Sequence, residues 1–112
     1  MEKISLRVPS RPEFVTTLRL VTASLAQMAD FDVETIDDLR VCISEAVNYL
    51  LPINEEIGVE FALGEEDLTI EIDAEYEGAQ EADQDLHRMI LESLMDQVEY
   101  HKDGITLVKS RA

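Results

Sequence analysis

A chain of 112 residues fits one domain and not two, and 46% hydrophobic residues can form a core, which excludes wholesale disorder. The single cysteine, Cys42, excludes an internal disulfide, no apolar run is long enough to cross a bilayer, and residues 1–10 contain no apolar leader, so we expect a cytoplasmic protein. The formal charge of -16 argues against nucleic acid and anionic membranes as partners, because both bind through Lys and Arg.

The negative charge is concentrated in one stretch. Between Glu55 and Glu99 the chain has 16 acidic residues and one base, Arg88, whereas the remainder has 9 acids and 8 bases. One interpretation is a solvated surface that keeps a small protein soluble, and the other is a surface directed at a basic partner.

The first elements are predicted to be a strand and a helix. Apolar and polar residues alternate over Glu2–Pro9, which is typical of a half-buried strand. The sequence Ser10–Glu13 has the form of a capping box, with a proline in the first turn, and a helix is predicted from there to about Ala29. Its inward face is predicted to be Phe14, Leu18, Val21, Leu25 and Met28.

A second helix and a hairpin follow. Asp32 can cap the second helix, and Pro52 ends it. Alternation over 57–63 and 68–73, with a turn at 64–67 between them, predicts an antiparallel hairpin. The buried stripe of the helix is predicted to be Ile36, Leu39, Ile43, Ala46, Val47 and Leu50.

The last third is predicted to hold a loop, a helix and two strands. Ala74–Ala82 is acidic and lacks periodicity, so we expect a loop, followed by a helix that begins at Asp83 or Asp85. Closing strands at 97–101 and 105–109 flank an Asp-Gly turn. The predicted order is β-α-α-β-β-α-β-β, an α/β fold of the two-layer α+β type, with three helices on one face of a mixed, mostly antiparallel sheet. The third helix is predicted to turn inward Leu86, Met89, Ile90 and Leu94.

Three segments in the same order carry a family resemblance. The second helix reads S-E-A-V-N at residues 44–48, and it is preceded by Val8–Leu20 and followed by Leu91–Val98 and Gly104–Leu107. Together they resemble the anti-sigma-factor serine kinases, a branch of the GHKL (histidine-kinase-like) ATPases. The resemblance covers most of the chain and implies one domain over residues 1–112.

The resemblance implies a Mg-ATP site that this sequence reproduces only in part. In the family, a Glu and an Asn one helical turn apart act as base and metal ligand. Here Glu45 is present, but Tyr49 stands at the Asn position and Asn48 lies one residue earlier, where it would be the metal ligand if Mg-ATP binds. We therefore expect no functional ATP site, with Tyr49, Tyr76 or a shortened loop filling it.

The glycine motifs of the family are also altered. Its adenine motif, D-x-G-x-G, falls after the second hairpin strand, where this chain offers two registers. If Asp73 is the motif's aspartate, glutamates replace both glycines; if Ala74 takes that position, only Gly78 matches. The family's glycine-rich phosphate loop corresponds to 78–88, which has one glycine and three acids near the expected triphosphate, so repulsion opposes binding.

Other chemistries have weaker signals. His87 and His101 have no partners at zinc-ligand spacing, and the acids near Asp83 lack the spacing of a calcium loop. Cys42, on a mostly apolar helix face, is expected to be buried and inert. Glu45 can equally be an ordinary helix-edge acid.

We expect a regulatory protein-binding module that needs no cofactor, with a sigma factor or an anti-sigma antagonist as partner. The alternative is a serine/threonine protein kinase whose eroded Mg-ATP site uses Glu45, Asn48, Asp73 and Gly78. A third reading is a dimerising scaffold. Arg19 is the candidate partner anchor. A homodimer is expected through the first strand or helix, where a mildly apolar strip would be formed by Val15, Leu20, Thr22 and Ala26.

Overall fold

The computed structural model describes residues 2–77 and 84–111, and its elements follow the predicted order β-α-α-β-β-α-β-β. The strands are β1 (Glu2–Pro9), β2 (Glu56–Leu63), β3 (Asp67–Asp73), β4 (Gln97–His101) and β5 (Gly104–Ser110). The helices are α1 (Glu13–Met28), α2 (Val33–Leu50) and α3 (Gln84–Leu94), and a 3-10 turn over Leu51–Ile53 follows α2.

The five strands form one sheet in the order β1-β2-β3-β5-β4, and every described pairing is antiparallel. The register aligns apolar residues across the central strands; Phe61 faces Ile70, which in turn faces Leu107. Because side chains alternate between the faces of a strand, this register produces one apolar face, which the helices cover, and one polar face. The α+β two-layer class predicted from the sequence is confirmed.

Local signals account for both ends of α2. Asp32 accepts a hydrogen bond from the Thr35 amide at 2.8 Å and caps α2, as predicted. Pro52 lies in the 3-10 turn where α2 ends. Asp30, between α1 and α2, has a positive φ of 64°, which reverses the chain and directs Phe31 into the core.

The capping box predicted at Ser10 is wrong. Helix α1 begins after Pro12 without a side-chain cap, and the Ser10 hydroxyl instead donates to the carbonyl of Leu51, 3.0 Å away. Ser10 therefore ties the start of α1 to the end of α2, a long-range contact that local spacing does not reveal.

Two predicted helix faces also need correction. On α1, Met28 is exposed, whereas Val15, Thr22 and Ala26, expected to form an outer strip, are buried. On α3, Leu86 and Met89 are exposed, and the buried residues are His87 and Leu91. Helix α3 is thus rotated relative to its apparent apolar stripe, because the His87 ring takes the inward position.

Candidate functional site

Four aromatic rings meet between α2, α3 and the end of the sheet. Tyr49 of α2 stacks on His87 of α3 with ring centroids 3.8 Å apart. Tyr76, from the segment after β3, lies 5.6 Å from Tyr49, and Tyr100 of β4 lies 5.7 Å from Tyr76. We call Tyr49, Tyr76, His87 and Tyr100 the aromatic cluster. It includes all three tyrosines of the chain.

The segment after β3 is held in place by backbone and amide contacts. The amides of Ala74 and Tyr76 donate to carbonyls in the β4–β5 turn at 3.1 and 3.0 Å. On its other side, the Asn54 side chain accepts from the Glu75 amide and donates to the Glu75 carbonyl. Since side chains alternate along this extended segment, Ala74 and Tyr76 are buried while Glu75 is exposed.

Arg88 covers the outer edge of the cluster. Its guanidinium lies 4.1 Å from the centre of the Tyr100 ring, and its Nε donates to the Tyr76 hydroxyl at 3.2 Å. The Tyr100 hydroxyl donates to Glu92 at 3.0 Å. Burial, followed by this bond to Glu92, raises the pKa of Tyr100. Arg88 and Glu92 therefore satisfy the two outer hydroxyls of the cluster.

His87 is the most enclosed member of the cluster. It is fully buried, and neither ring nitrogen has a hydrogen-bond partner within residues 2–77 and 84–111. Its Nδ1 lies 3.7 Å from the Glu45 carboxylate, beyond hydrogen-bond range. Burial, with a smaller contribution from Arg88, lowers the pKa of His87 to about 4. The imidazole is therefore neutral at pH 7.

The structure brings Glu45 to the cluster but not Asp73. Glu45 is partly exposed beside His87, and Asn48, three residues further along α2, is exposed. Asp73 belongs to the polar face of the sheet, where it accepts from Arg7 at 3.1 Å. Gly78 lies outside the described residues.

The sequence left two registers open for the adenine motif, with either Asp73 or Ala74 at the position of its aspartate. These two residues lie on opposite sides of the sheet. Ala74, buried and next to Asp73, is the residue that turns toward the helices. In that register the aspartate of the adenine motif is absent, and Tyr76 stands where the first glycine would be. Tyr49 and Tyr76, both expected to occupy the site, lie in the aromatic cluster.

The candidate partner anchor lies apart from the cluster, on α1. Arg19 is exposed, and it makes no ion pair or hydrogen bond with any described residue. Leu20 beside it is 64% exposed, the one member of the expected apolar strip that reaches solvent. Arg19 is therefore available to a partner, as the hypothesis of a partner anchor requires. Most of the expected apolar strip around it is buried in the core and is not available.

The polar face of the sheet contains several acidic residues. A concavity of about 510 Å³ lies there, and Arg7 bridges Glu56 and Asp73 across it. Glu60 and Glu71 line the same concavity. The acidic residues of the Glu55–Glu99 stretch thus include a group on one face of the molecule.

Metal and thiol chemistry find little support. Within the described ranges, no three His, Cys, Asp or Glu side chains are grouped so as to hold a metal ion. Cys42 is buried, as predicted, and burial raises the pKa of its thiol to about 12, which keeps the thiol protonated at neutral pH. No helix in the described part of the chain has the length and apolarity needed to cross a membrane.

The sequence analysis identifies two members of the aromatic cluster, Tyr49 and Tyr76, and misses the other two, His87 and Tyr100. In the sequence, His87 stands out only as a possible zinc ligand, and no motif singles out Tyr100 or Asn54. Tyr100 follows Val98 by two residues, so period-two reasoning places both on the same, inner face of β4. The contact of His87 with Tyr49 depends on how α3 packs on α2, which no local pattern specifies.

Comparison with known proteins gives a consistent set of relatives. No protein-family model matches the chain. It is 29% identical to the serine-protein kinase RsbW of Listeria monocytogenes serotype 4a, over 98% of this chain and 87% of the relative, with the same values for Listeria innocua. It is 37% identical to RsbW of Oceanobacillus iheyensis over 62% of this chain and 48% of that protein.

The longest alignments also reveal a difference in length. The match to Listeria monocytogenes RsbW extends over 136 positions, but this chain has only 112 residues. At least 24 of those positions, by subtraction of the two numbers, therefore hold no residue of this chain. The relative is longer within the matched region itself, not only at its ends.

Proposed function

This chain belongs to the anti-sigma-factor serine kinase family, and from that premise we propose that it acts as a regulatory protein-binding module that does not use Mg-ATP. The partner class is that of the family: a sigma factor or an antagonist protein. A regulator of sigma factors works in the cytoplasm, and the proposal includes that location.

One observation carries the loss of nucleotide binding. The rings of Tyr49 and His87 are stacked 3.8 Å apart at the end of α2, where the resemblance implies an asparagine and a metal ion. The stack of partly buried Tyr49 on fully buried His87 fills space beside the end of α2, which leaves little room for a triphosphate and its metal ion. The residues present do not fit Mg-ATP, since Ala74 is on the helix side of the sheet and Asp73 is on the other side.

The shorter chain supports the same proposal. The aligned Listeria relative has at least 24 positions that this chain lacks. We infer that part of this loss falls between Asp73 and α3, because the family's glycine-rich phosphate loop lies there and this chain has one glycine in that interval, Gly78. Without that loop, few backbone amides remain to cradle phosphates.

A second candidate is a serine/threonine kinase, favoured by the relatives that match 98% of the chain, which are serine-protein kinases. In that case Glu45 would be the base, Asn48 would contact the metal, and Asp73 and Gly78 would contact the nucleotide. The opposite orientation of Asp73 argues against this candidate, and we derive no reaction step from it.

A homodimer remains part of the proposal, with β1 as the contact. Strand β1 is an edge of the sheet and has eight residues, so it can pair with another β1. The α1 strip is not a basis for the dimer, because Val15, Thr22 and Ala26 are buried. Sedimentation at micromolar concentration is the test; a monomer of about 13 kDa would exclude the dimer.

The function is tested by capture and by phosphoryl transfer together. The protein, immobilised with and without Mg-ATP, is exposed to an extract of its host, and captured proteins are identified by mass spectrometry. We expect a sigma factor or antagonist, captured equally under both conditions and not labelled by γ-³²P-ATP. A captured partner that this chain phosphorylates, with an active serine-protein kinase as the assay control, would establish the kinase alternative instead.

A further inference from the structure

The first half of α3 rests on the rest of the protein through very few side chains. In its first two turns Asp85, Leu86 and Met89 are exposed, and His87 is the one fully buried residue. The second half is better secured: Leu91 is fully buried, and Lys109 donates to the carbonyl of Leu94 at 2.8 Å. Docking of the first half therefore depends mainly on His87, with Arg88 adding its contacts to Tyr76 and Tyr100 at the outer edge of the cluster.

The pocket around His87 suits a neutral ring. One face of the imidazole lies on Tyr49, at 3.8 Å and with an interplanar angle of 10°. Neither ring nitrogen finds a hydrogen-bond partner among the described residues. A buried polar group without a hydrogen bond is destabilising, and a buried charge without one is far more so.

Several titratable or charged groups surround this ring. From α2 come Glu45 and the Tyr49 ring; Tyr76 approaches from the segment after β3 and Tyr100 from β4. Helix α3 itself contributes Arg88, whose positive charge opposes a second cation.

Glu45 is the only described carboxylate paired with His87, and its distance of 3.7 Å is too long for a hydrogen bond. The Glu45 side chain is also 31% exposed, so water screens its charge. A proton on His87 consequently has no well-placed acceptor unless α2 and α3 move relative to each other.

We propose that His87 is a proton-operated latch: its neutral ring holds the first half of α3 against α2, and protonation releases that half of the helix. The latch does not depend on the proposed function, since it follows from the packing of α3 alone. It makes the surface around the aromatic cluster responsive to mild acid.

The direction of the pH effect on the closed state, and the pH range over which it occurs, follow from the pKa values of His87 in the closed and open states. A free imidazole has a pKa of 6.5, and burial lowers the pKa of His87 to about 4 in the closed state. The open state therefore binds the proton more tightly, so the closed state is fully favoured above pH 6.5 and loses stability as the pH falls toward 4. From these two values, opening should increase by about 20-fold between pH 7 and pH 5.

The test combines a proton titration with amide exchange on the intact protein. The chain has two histidines, so NMR can follow His87 directly while exposed His101 provides a second resonance in the same sample. We expect His87 to titrate near pH 4, about 2.5 pH units below a free imidazole. Protection of the amides at 87–90, corrected for intrinsic exchange, should fall about 20-fold between pH 7 and pH 5, while that of the central strands does not.

Two variants make the assignment specific. His87→Phe keeps a flat ring but cannot titrate, so the pH dependence of protection in α3 should disappear; His101→Phe should leave it unchanged. If His87→Phe fails to fold, the wild-type titration decides by itself. The latch is refuted if His87 titrates at 6.5 or above, if α3 protection is equal at pH 7 and pH 5, or if His87→Phe retains the dependence.

Discussion

At the scale of single residues, burial decides which groups can react. Cys42 contacts no solvent, and burial raises the pKa of its thiol to about 12 from a usual 9.0. Only the thiolate reacts with alkylating agents, so the rate at which Cys42 is alkylated should report the unfolding of the protein.

We expect Cys42 to be labelled by iodoacetamide at pH 8 about a thousandfold more slowly in the native protein than in urea. The ratio follows from the two thiolate fractions, before steric protection is added. Rapid, stoichiometric labelling in buffer alone would mean that α2 does not pack on the core as described.

A second residue-scale prediction concerns Arg19, exposed and unpaired within the described residues. If it anchors a partner, Arg19→Ala should accelerate dissociation by one to two orders of magnitude, which corresponds to roughly 2 kcal/mol. Surface plasmon resonance with the captured partner is the measurement. Lys102→Ala removes an exposed cation elsewhere and should have no effect; equal effects of both variants would reduce Arg19 to an ordinary surface charge.

At the scale of elements, the β4–β5 turn depends on one glycine. Gly104 has a φ of 156°, and a Cβ added to it would lie 2.0 Å from the backbone carbonyl oxygen of Ile72. Backbone atoms of a central strand cannot yield as a flexible side chain can.

Gly104→Ala should therefore destabilise the protein by about 2 kcal/mol or more, measured as a shift of the urea midpoint at constant slope. Gly58→Ala is the matched control, because the atoms that its Cβ would meet most closely belong to the mobile end of Arg7. A smaller effect at Gly104 than at Gly58 would contradict the described pairing of β3 with β5.

Lys109 tests how α3 ends. Its ammonium donates to the carbonyl of Leu94 in the last turn of the helix, where a cation also complements the helix dipole. Lys109→Met keeps the apolar stem and should lower the free energy of unfolding by about 1 kcal/mol. Lys102→Met, in the exposed turn, should change it little; equal losses in the two variants would show that the cap contributes nothing.

The elements that the sequence predicts well are those with local causes. Period-two alternation identifies β1, β2 and β3, and Asp32 marks the start of α2 because an N-cap needs only residues three apart. Ser10 misleads for the opposite reason: its hydroxyl is used by Leu51, 41 residues away. Helix α3 misleads because Leu86 and Met89 look like an inward face while a histidine takes that place.

The features of the candidate site also fall into two groups, those with a local sequence signal and those set by tertiary packing. The displaced asparagine and the lost glycines are visible in the sequence, and they direct attention to Tyr49 and Tyr76. The partners that complete the cluster, His87 and Tyr100, come from α3 and β4, and their approach is set by tertiary packing. Asn54, which clamps the segment after β3, is likewise recognisable only from its contacts with Glu75.

At the scale of the whole molecule, charge is the dominant feature. The exposed acids Glu71, Glu75 and Glu77 belong to a stretch with 16 acids and one base. Such a field extends over a Debye length, about 8 Å at physiological salt, and it accelerates association more than it strengthens the final complex.

Replacing Glu71, Glu75 and Glu77 with glutamine should slow association with a basic partner and flatten its salt dependence, with dissociation nearly unchanged. The control replaces Glu2, Glu13 and Glu34 with glutamine. These are three exposed acids outside the Glu55–Glu99 stretch, where acids and bases are nearly equal in number. Association rates of the two triple variants, measured from 20 to 300 mM salt, distinguish these effects. An acidic partner, or an equal response of both triple variants, would leave the acidic surface with a role in solubility alone.

The most direct test of the central claim is whether the whole protein binds nucleotide. Isothermal titration with Mg-ATP and Mg-ADP should give no binding heat, and a saturating concentration of either should leave the Tm unchanged. A ligand present at 100 times its Kd stabilises the folded state by about 2.7 kcal/mol, which would raise the Tm by several degrees. No heat and no shift is the result we expect; a clear shift with Mg-ATP would contradict the account and restore the kinase alternative.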